Sequence, residues 1–213
     1  LTIQQLCGLL ETDFENAETE RLMLLRVEKF GNNHKRSNEL VREICLQFCE
    51  MVTCQKTPRG TTYQPALAMY QQHYAGLSTG ATPDGRHANT AFSKGVGPTL
   101  GVNTEGITAT LASCAILPHD YAPDGNFLLL SMQPEFITGK TGLQRLTQLI
   151  QTYFESGGSH LMINAIDATI LQDAIENPQN HRDLLVRVSG LSAYYVTLPL
   201  HIQLDLLQQA QTG

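Results

Sequence analysis

The sequence predicts an α/β protein, and three changes of texture along the chain predict it. Residues 1–57 carry apolar side chains at helical spacing, residues 58–98 turn to Gly, Pro, Thr and Asn, and beyond residue 126 short apolar runs alternate with amphipathic helical patterns. Alternation of that kind is what helices packed on a sheet require. At 213 residues with 42% hydrophobic and 16% charged side chains, the chain is long enough to bury a core without disulfides or a structural metal. One large domain or two small ones fit this size.

The elements follow in order. "RLMLLRVEKF" and "NELVREICLQFCEMV" read as helices, the second through Leu40, Val41, Ile44, Cys45, Phe48, Met51 and Val52, and "FGNN" breaks the run between them. Within residues 58–98 the string "ATPDGRHA" is a turn, because Pro83 presets φ and Gly85 tolerates positive φ. A segment so long, with few charges and with Tyr63, Tyr70 and Tyr74, is expected to be ordered and functional. A helix is predicted over Thr104 to Leu117 and a strand at "NFLLLSM".

"TGLQRLTQLIQTYFESGG" then carries a full set of helix signals. Thr141 and Gln144 have the spacing of a capping box, apolar residues fall at Leu143, Leu146, Leu149, Ile150 and Phe154, and Gly157 and Gly158 supply the stop. "HLMINAI" reads as a strand, "DATILQDAIENP" as a helix capped by Asp167 and ended before Pro178, and "LLVRVS" as a strand. A last helix starts at Pro199.

Charge and motif content narrow the function. Lys and Arg total 14 against 20 Asp and Glu, a net charge of −6 with the basic residues scattered, so nucleic acid is excluded as an expected partner. No run is apolar enough to cross a bilayer, no membrane partner is expected, and without a signal segment the expected location is cytoplasmic. The chain starts at Leu1 rather than Met, which suggests a cut, a processed end or an unusual start. Five cysteines, Cys7, Cys45, Cys49, Cys54 and Cys114, suit free thiols. Cys45 and Cys49 lie one helical turn apart with Cys54 nearby, but lack a further ligand pair. No metal is expected, and all five read as small buried hydrophobes. His160 reads as a core or surface histidine, Asp84 and Arg86 as turn chemistry, and Arg187 as a hydrogen-bonding residue on a strand. There is no glycine-rich phosphate loop, zinc spacing or serine nucleophile elbow.

One short stretch stands out. "DLLVRVSGLSAYYVTLP", residues 183–199, runs an apolar strand straight into Gly190 with apolar and aromatic residues on both sides. A glycine there can serve positive φ or a close backbone approach. It can also serve chemistry. A glycine α carbon that loses a hydrogen atom becomes a radical fed by the amide nitrogen and drained by the carbonyl, and only glycine flattens there without a side-chain clash. Such a radical lasts only where water and oxygen are kept out. Gly190 is therefore expected on a short loop in an apolar cavity, walled by "LLVRVS" and "SAYYVTL".

The string "RVSGLSAYY", with Arg187, Val188, Ser189 and Gly190 in place, resembles the Arg-Val-Ser/Ala-Gly-Tyr signature of the glycyl radical enzymes. "FGNN", "GATPDGRHA", "ITATLASCAIL" and the run from "GGSHLMINAI" to "LLVRVSG" are similar to successive landmarks of that family, in the same order. Leu191 stands where the family usually has tyrosine, and "FGNNHKRSN" lacks an acidic pair found there.

The resemblance implies a partial barrel, the C-terminal part of a ten-stranded α/β barrel, over residues 1–132 and a glycine radical domain over residues 133–213. Gly190 would be the catalytic, radical-storing residue, with no bound cofactor and the radical installed after translation by a radical-SAM activating enzyme. The family's thiyl-forming cysteine lies in a Gly-Cys-Val-Glu-like string, which this sequence lacks.

The chain is thus expected to be the C-terminal portion of a glycyl radical lyase or dehydratase, formate acetyltransferase-like, cleaving a C–C, C–O or C–N bond once completed by a missing N-terminal part. "SAYYV" resembles the glycerol and choline type, which points to a small polar alcohol or amine. Two alternatives stay open: a radical-bearing spare part that docks on a damaged enzyme of the family, and a non-catalytic remnant. Expected partners are the activating enzyme, a small-molecule substrate, and the missing N-terminal portion or a homologous subunit. An unclosed barrel should also expose a sheet edge and apolar faces.

Overall fold

The computed structural model describes residues 1–188 and 191–212. Three helices open the chain, α1 (Ile3–Glu11), α2 (Glu18–Leu25) and α3 (Lys35–Thr53). Thr2 and Gln5 close a reciprocal capping box at the start of α1, the Gln5 amide donating to Thr2 Oγ1 at 3.2 Å and the Thr2 amide to Gln5 Oε1 at 2.9 Å. The predicted break at "FGNN" is a joint rather than a gap. Gly31 and Asn33 take positive φ, and the buried Asn32 side chain donates to the Val102 carbonyl at 2.7 Å and accepts from the Glu105 amide at 3.1 Å. The break thereby fastens the N-terminal helices to a segment seventy residues further on.

Residues 58–98 hold a two-residue strand β1 (Ala66–Leu67) and a short helix α4 (Gln72–Leu77), the rest being loop and turn. Arg86 organises them. Its buried guanidinium donates to the carbonyls of Gly80 and Thr90, both at 2.6 Å, and lies 4.4 Å over the ring of Phe92. Asp84 accepts from Thr82 Oγ1 at 2.5 Å, and Gly85 takes φ +92°, the turn chemistry that its sequence predicts.

The second half alternates as expected: α5 (Gly106–Ala115), β2 (Gly125–Asn126), β3 (Leu128–Met132), α6 (Gly139–Glu155), β4 (Leu161–Ala165), α7 (Ala168–Glu176), β5 (Leu185–Val188), β6 (Leu191–Tyr194) and α8 (Leu200–Thr212). The described strands form three pairs, β1–β2 and β3–β4 parallel and β5–β6 antiparallel. The mixed α/β character agrees with the sequence, while an arc of a ten-stranded barrel goes beyond these pairs. Along β3, alternate residues Leu128, Leu130 and Met132 are buried. They share one core with Leu111 and Cys114 of α5 and Tyr153 of α6. A second core joins Leu171, Val186, Tyr195, Leu206 and Ala210.

Two expectations need correction. Helix α6 begins at Gly139, so Thr141 and Gln144 lie inside it and form no capping box. The reason is the preceding 3₁₀ turn Pro134–Ile137, which leads the chain into the helix early: Thr138 Oγ1 donates back to the Pro134 carbonyl at 2.8 Å. The α5 pattern also starts two residues late and ends two residues early. Apolar side chains are left uncovered, notably Leu40, Ile44, Phe48 and Met51, which recur along one side of α3.

Candidate radical site

The hairpin of β5 and β6 pairs Leu185 with Tyr194, Val186 with Ala193, Arg187 with Ser192 and Val188 with Leu191. Ser189 and Gly190, the residue read from the sequence as the radical store, lie outside the described residues. What the structure supplies is the frame on either side of them. Its inner face carries Val186, 2% exposed, and is continued by Tyr195, which has no exposed surface. Helices α7 and α8 cover that face. The opposite face bears Leu185, Arg187, Ser192 and Tyr194, all exposed.

The expected apolar wall is therefore one-sided. Leu191 shares the register of Val188 but is 74% exposed: the core that holds Val186 extends to Val188 on β5 and leaves Leu191 on β6 outside it. No described element covers it.

The free edge of β5 is closed by a side chain. Asn164 of β4, buried, donates from Nδ2 to the Arg187 carbonyl at 3.0 Å and accepts from the Arg187 amide on Oδ1 at 3.3 Å. In an antiparallel pair both main-chain groups of one residue point the same way, so those of Arg187 face β4 rather than β6. The Arg187 side chain turns to its cross-strand partner, donating to Ser192 Oγ at 3.0 Å. This is the structural hydrogen bonding that the sequence suggests for it.

Asn164 is the register partner of Ser131 on β3, and Ser131 lines a cavity of about 330 Å³. The cavity lies among the segment around Lys94, the start of α5, strand β3 and helix α8. Its polar lining includes Gln72, Lys94, Ser131 and Asp205. Burial holds the Lys94 ammonium below the ordinary lysine range, and the Asp205 carboxylate opposes that shift. Asp205 lies 3.3 Å from His73 Nε2, and the buried Gln72 Oε1 has no protein hydrogen-bond partner. A cation, a carboxylate and a spare acceptor on otherwise apolar walls suit a small polar molecule.

The cysteines divide in two groups. Cys114 is fully buried and burial pushes its thiol up to about 12, while burial also raises Cys45 and Cys49. A thiol held neutral in this way is a poor metal ligand or nucleophile. Cys7 and Cys54 are exposed, against the expectation that all five are buried. Cys54 caps the C-terminal end of α3, beyond the packed part of the helix. His160 is exposed and acts through its carbonyl, which accepts from the Leu128 amide at 3.3 Å. Asn164, Lys94 and Gln72 were not singled out by the sequence. The signal for Asn164 was a polar residue inside the apolar run "LMINAI". No helix of the described residues is long and apolar enough to cross a membrane.

Comparison with known proteins decides the family. The Glycine radical family model matches residues 92–196 and the Pyruvate formate lyase-like model residues 1–75. The chain belongs to the glycyl radical enzyme family. It corresponds to that family's C-terminal portion, with the glycine radical region included. It is 31% identical over 204 residues to the trans-4-hydroxy-L-proline dehydratase of Clostridioides difficile, covering 95% of this chain and 26% of that protein. To the formate acetyltransferase of Haemophilus influenzae it is 32% identical over 192 residues, covering 86% and 25%. The glycerol-bound B12-independent glycerol dehydratase from Clostridium butyricum superposes with a TM-score of 0.94 at 37% identity, covering 98% of this chain and 27% of that one. The chain thus spans about a quarter of the length of the relatives it matches.

Proposed function

We propose that Gly190 stores an unpaired electron on its α carbon for a radical lyase or dehydratase of the glycerol dehydratase type. One observation carries the proposal: the family's Arg-Val-Ser-Gly string falls where Val188 and Leu191 are paired across a hairpin. The chain entering and leaving the Ser189–Gly190 step is thereby held, and the inner face of that hairpin packs on α7 and α8 through Val186 and Val188. Installation removes one hydrogen atom from the Gly190 α carbon. That atom passes to the radical of an activating radical-SAM enzyme, and the electron left behind is delocalised over the adjacent amide nitrogen and carbonyl.

In turnover the Gly190 radical takes a hydrogen atom from a cysteine thiol, restoring the glycine C–H and leaving a thiyl radical to open the substrate. That cysteine belongs to a part of the family's architecture that this sequence does not contain. We assign residues 1–132 to a barrel completed by such a part and residues 133–213 to the glycine radical domain. The exposed stripe on α3 and the open outer face of the hairpin are surfaces that this completion would cover. A small polar alcohol as substrate is supported by the glycerol-bound relative and by the few polar groups set in the apolar-walled cavity beside β3. A cytoplasmic location fits an oxygen-sensitive radical.

The test is anaerobic incubation of the chain with an activating enzyme, followed by electron paramagnetic resonance. A doublet, split by the one hydrogen left on Gly190, is expected, and brief exposure to air should then cut the backbone at that residue. Gly190→Ala should abolish both. A doublet that survives in Gly190→Ala overturns the assignment.

A further inference from the structure

Among the described residues, the main-chain groups of Arg187 have no partner on a neighbouring strand. Its amide and carbonyl point away from β6, and the residue lies three positions before Gly190 in the sequence. An unpaired edge at this point would leave the strand free to shift, since an edge strand is fixed only by what satisfies its outward N–H and C=O groups. Asn164 satisfies both, with one donor at 3.0 Å and one acceptor at 3.3 Å, from a buried position on β4. An asparagine amide is the smallest neutral side chain that presents a donor and an acceptor side by side, as a strand does.

We infer that Asn164 is the positioning residue of the radical hairpin, standing in for a neighbouring strand and fixing β5 relative to the β3–β4 sheet; this rests on the reading of Gly190 as the radical residue. The consequence reaches the cavity. Asn164 pairs in register with Ser131, and Ser131 belongs to the cavity lining. One side-chain amide therefore references the hairpin to the wall of the pocket beside it. Among the described residues little else on that edge does so: the small space bounded by Ser131, Asn164, Ile166 and Val186 has mainly apolar walls, and apolar contact does not fix register. The role differs from filling space, because a side chain of equal bulk without the paired donor and acceptor cannot perform it.

The test compares the chain with Asn164→Leu, which keeps the bulk, and Asn164→Asp, which keeps the acceptor and places a charge against the Arg187 carbonyl. Amide hydrogen exchange across residues 184–195, followed by mass spectrometry, reads the clamp itself. The Leu variant should exchange at least about tenfold faster there at an unchanged rate in α5 and α6, with the Asp variant between it and the wild type. The yield of the resonance doublet per chain after activation reads the consequence, and should fall severalfold in the Leu variant. Wild-type exchange in the Leu variant overturns the inference, and so does faster exchange with an undiminished doublet. If instead the doublet persists in Gly190→Ala, the reading of Gly190 is what fails, while the exchange data still decide the clamp.

Discussion

The hydroxyl of Tyr195, a side chain with no exposed surface, donates to the main-chain carbonyl of Gln203 at 2.9 Å. The bond runs from the turn after β6 into the first turns of α8, and Gln203 adds a second stitch by donating from Nε2 to the Leu198 carbonyl at 2.7 Å. The chain that leaves the β5–β6 hairpin is thus fixed to the helix that covers the hairpin's inner face. Tyr195→Phe keeps the ring and orphans the acceptor. It should lower stability by about 1–2 kcal/mol, a drop of several degrees in the midpoint of thermal unfolding.

The same burial makes the molecule sensitive to alkali. Tyr195 is pushed up to about 12 by desolvation, against an unfolded value near 10. Burial raises Tyr153 and Cys114 in the same direction. Each group has a folded value above its unfolded one, so its stabilising contribution is complete below the unfolded value and is lost as pH rises toward the folded value. Stability should be level around pH 7 to 8 and fall between about pH 9 and 12. Chemical denaturation at stepped pH measures this, and Tyr195→Phe should make the fall shallower without removing it. An unfolding free energy that stays flat to pH 12 would contradict the burial of these groups.

Thiol reactivity offers an independent check on the two groups of cysteines. Cys7 and Cys54 are exposed, while Cys114 is sealed in the core between α5 and β3 with its sulfur 3.5 Å from the Val96 carbonyl. A small alkylating reagent under native conditions should modify Cys7 and Cys54 first, Cys45 and Cys49 more slowly, and Cys114 only when the chain unfolds. Peptide mapping after timed quenching gives the order. Early modification of Cys114 would mean that the core around β3 opens on its own.

Much of this architecture could be read from residue order, because its signals are local. Asp167 caps α7 through the Thr169 amide at 2.7 Å, Gly157 and Gly158 end α6, and the apolar period of α3 has the length of the helix. The hairpin partner of β5 was missed, since "LSAY" lacks the apolar alternation of a half-buried strand; its face toward the core holds only Ala193 and the exposed Leu191. Asn164 stands out as polar in "LMINAI", but its role, like that of Gln72, depends on partners 23 residues away or on a cavity assembled from distant segments. Gly190, outside the described residues, is proposed from the chemistry of its α carbon and the family string rather than from a periodic pattern. The one-sided cover of its hairpin depends on which surfaces α7 and α8 reach, and no local signal encodes that.

Arg86 should tolerate replacement poorly even by lysine. Its fork reaches carbonyls of Gly80 and Thr90 on two sides of the turn, and its plane lies over Phe92. An ammonium cannot span both acceptors or stack in the same way. Arg86→Lys should cost about 1–3 kcal/mol by leaving one carbonyl unsatisfied. Protease cleavage within residues 78–92 should accelerate more than cleavage in α6. Equal acceleration everywhere would mean that Arg86 supports the whole fold rather than this segment.

Two adjacent glycines at the end of α6 are required for different reasons, and substitution separates them. The Gly158 amide reaches back to the Tyr153 carbonyl at 3.0 Å and the Gly157 amide to Phe154 at 3.1 Å, the paired bonds of a Schellman close. Gly157 has φ +106°, so Gly157→Ala suffers through its backbone, by about 1–2 kcal/mol. At Gly158 the obstacle is a neighbour: a Cβ there would sit 2.3 Å from the buried ring of Tyr153. Gly158→Ala should therefore cost on the order of 3 kcal/mol, since the ring has no room to retreat. Trimming the ring distinguishes the two. Combined with Tyr153→Ala, the Gly158→Ala penalty should largely vanish, whereas the Gly157→Ala penalty should add to that of Tyr153→Ala almost in full. Denaturant unfolding of the three single and two double variants measures both couplings, and additivity at Gly158 would show that the ring is not what excludes a side chain there.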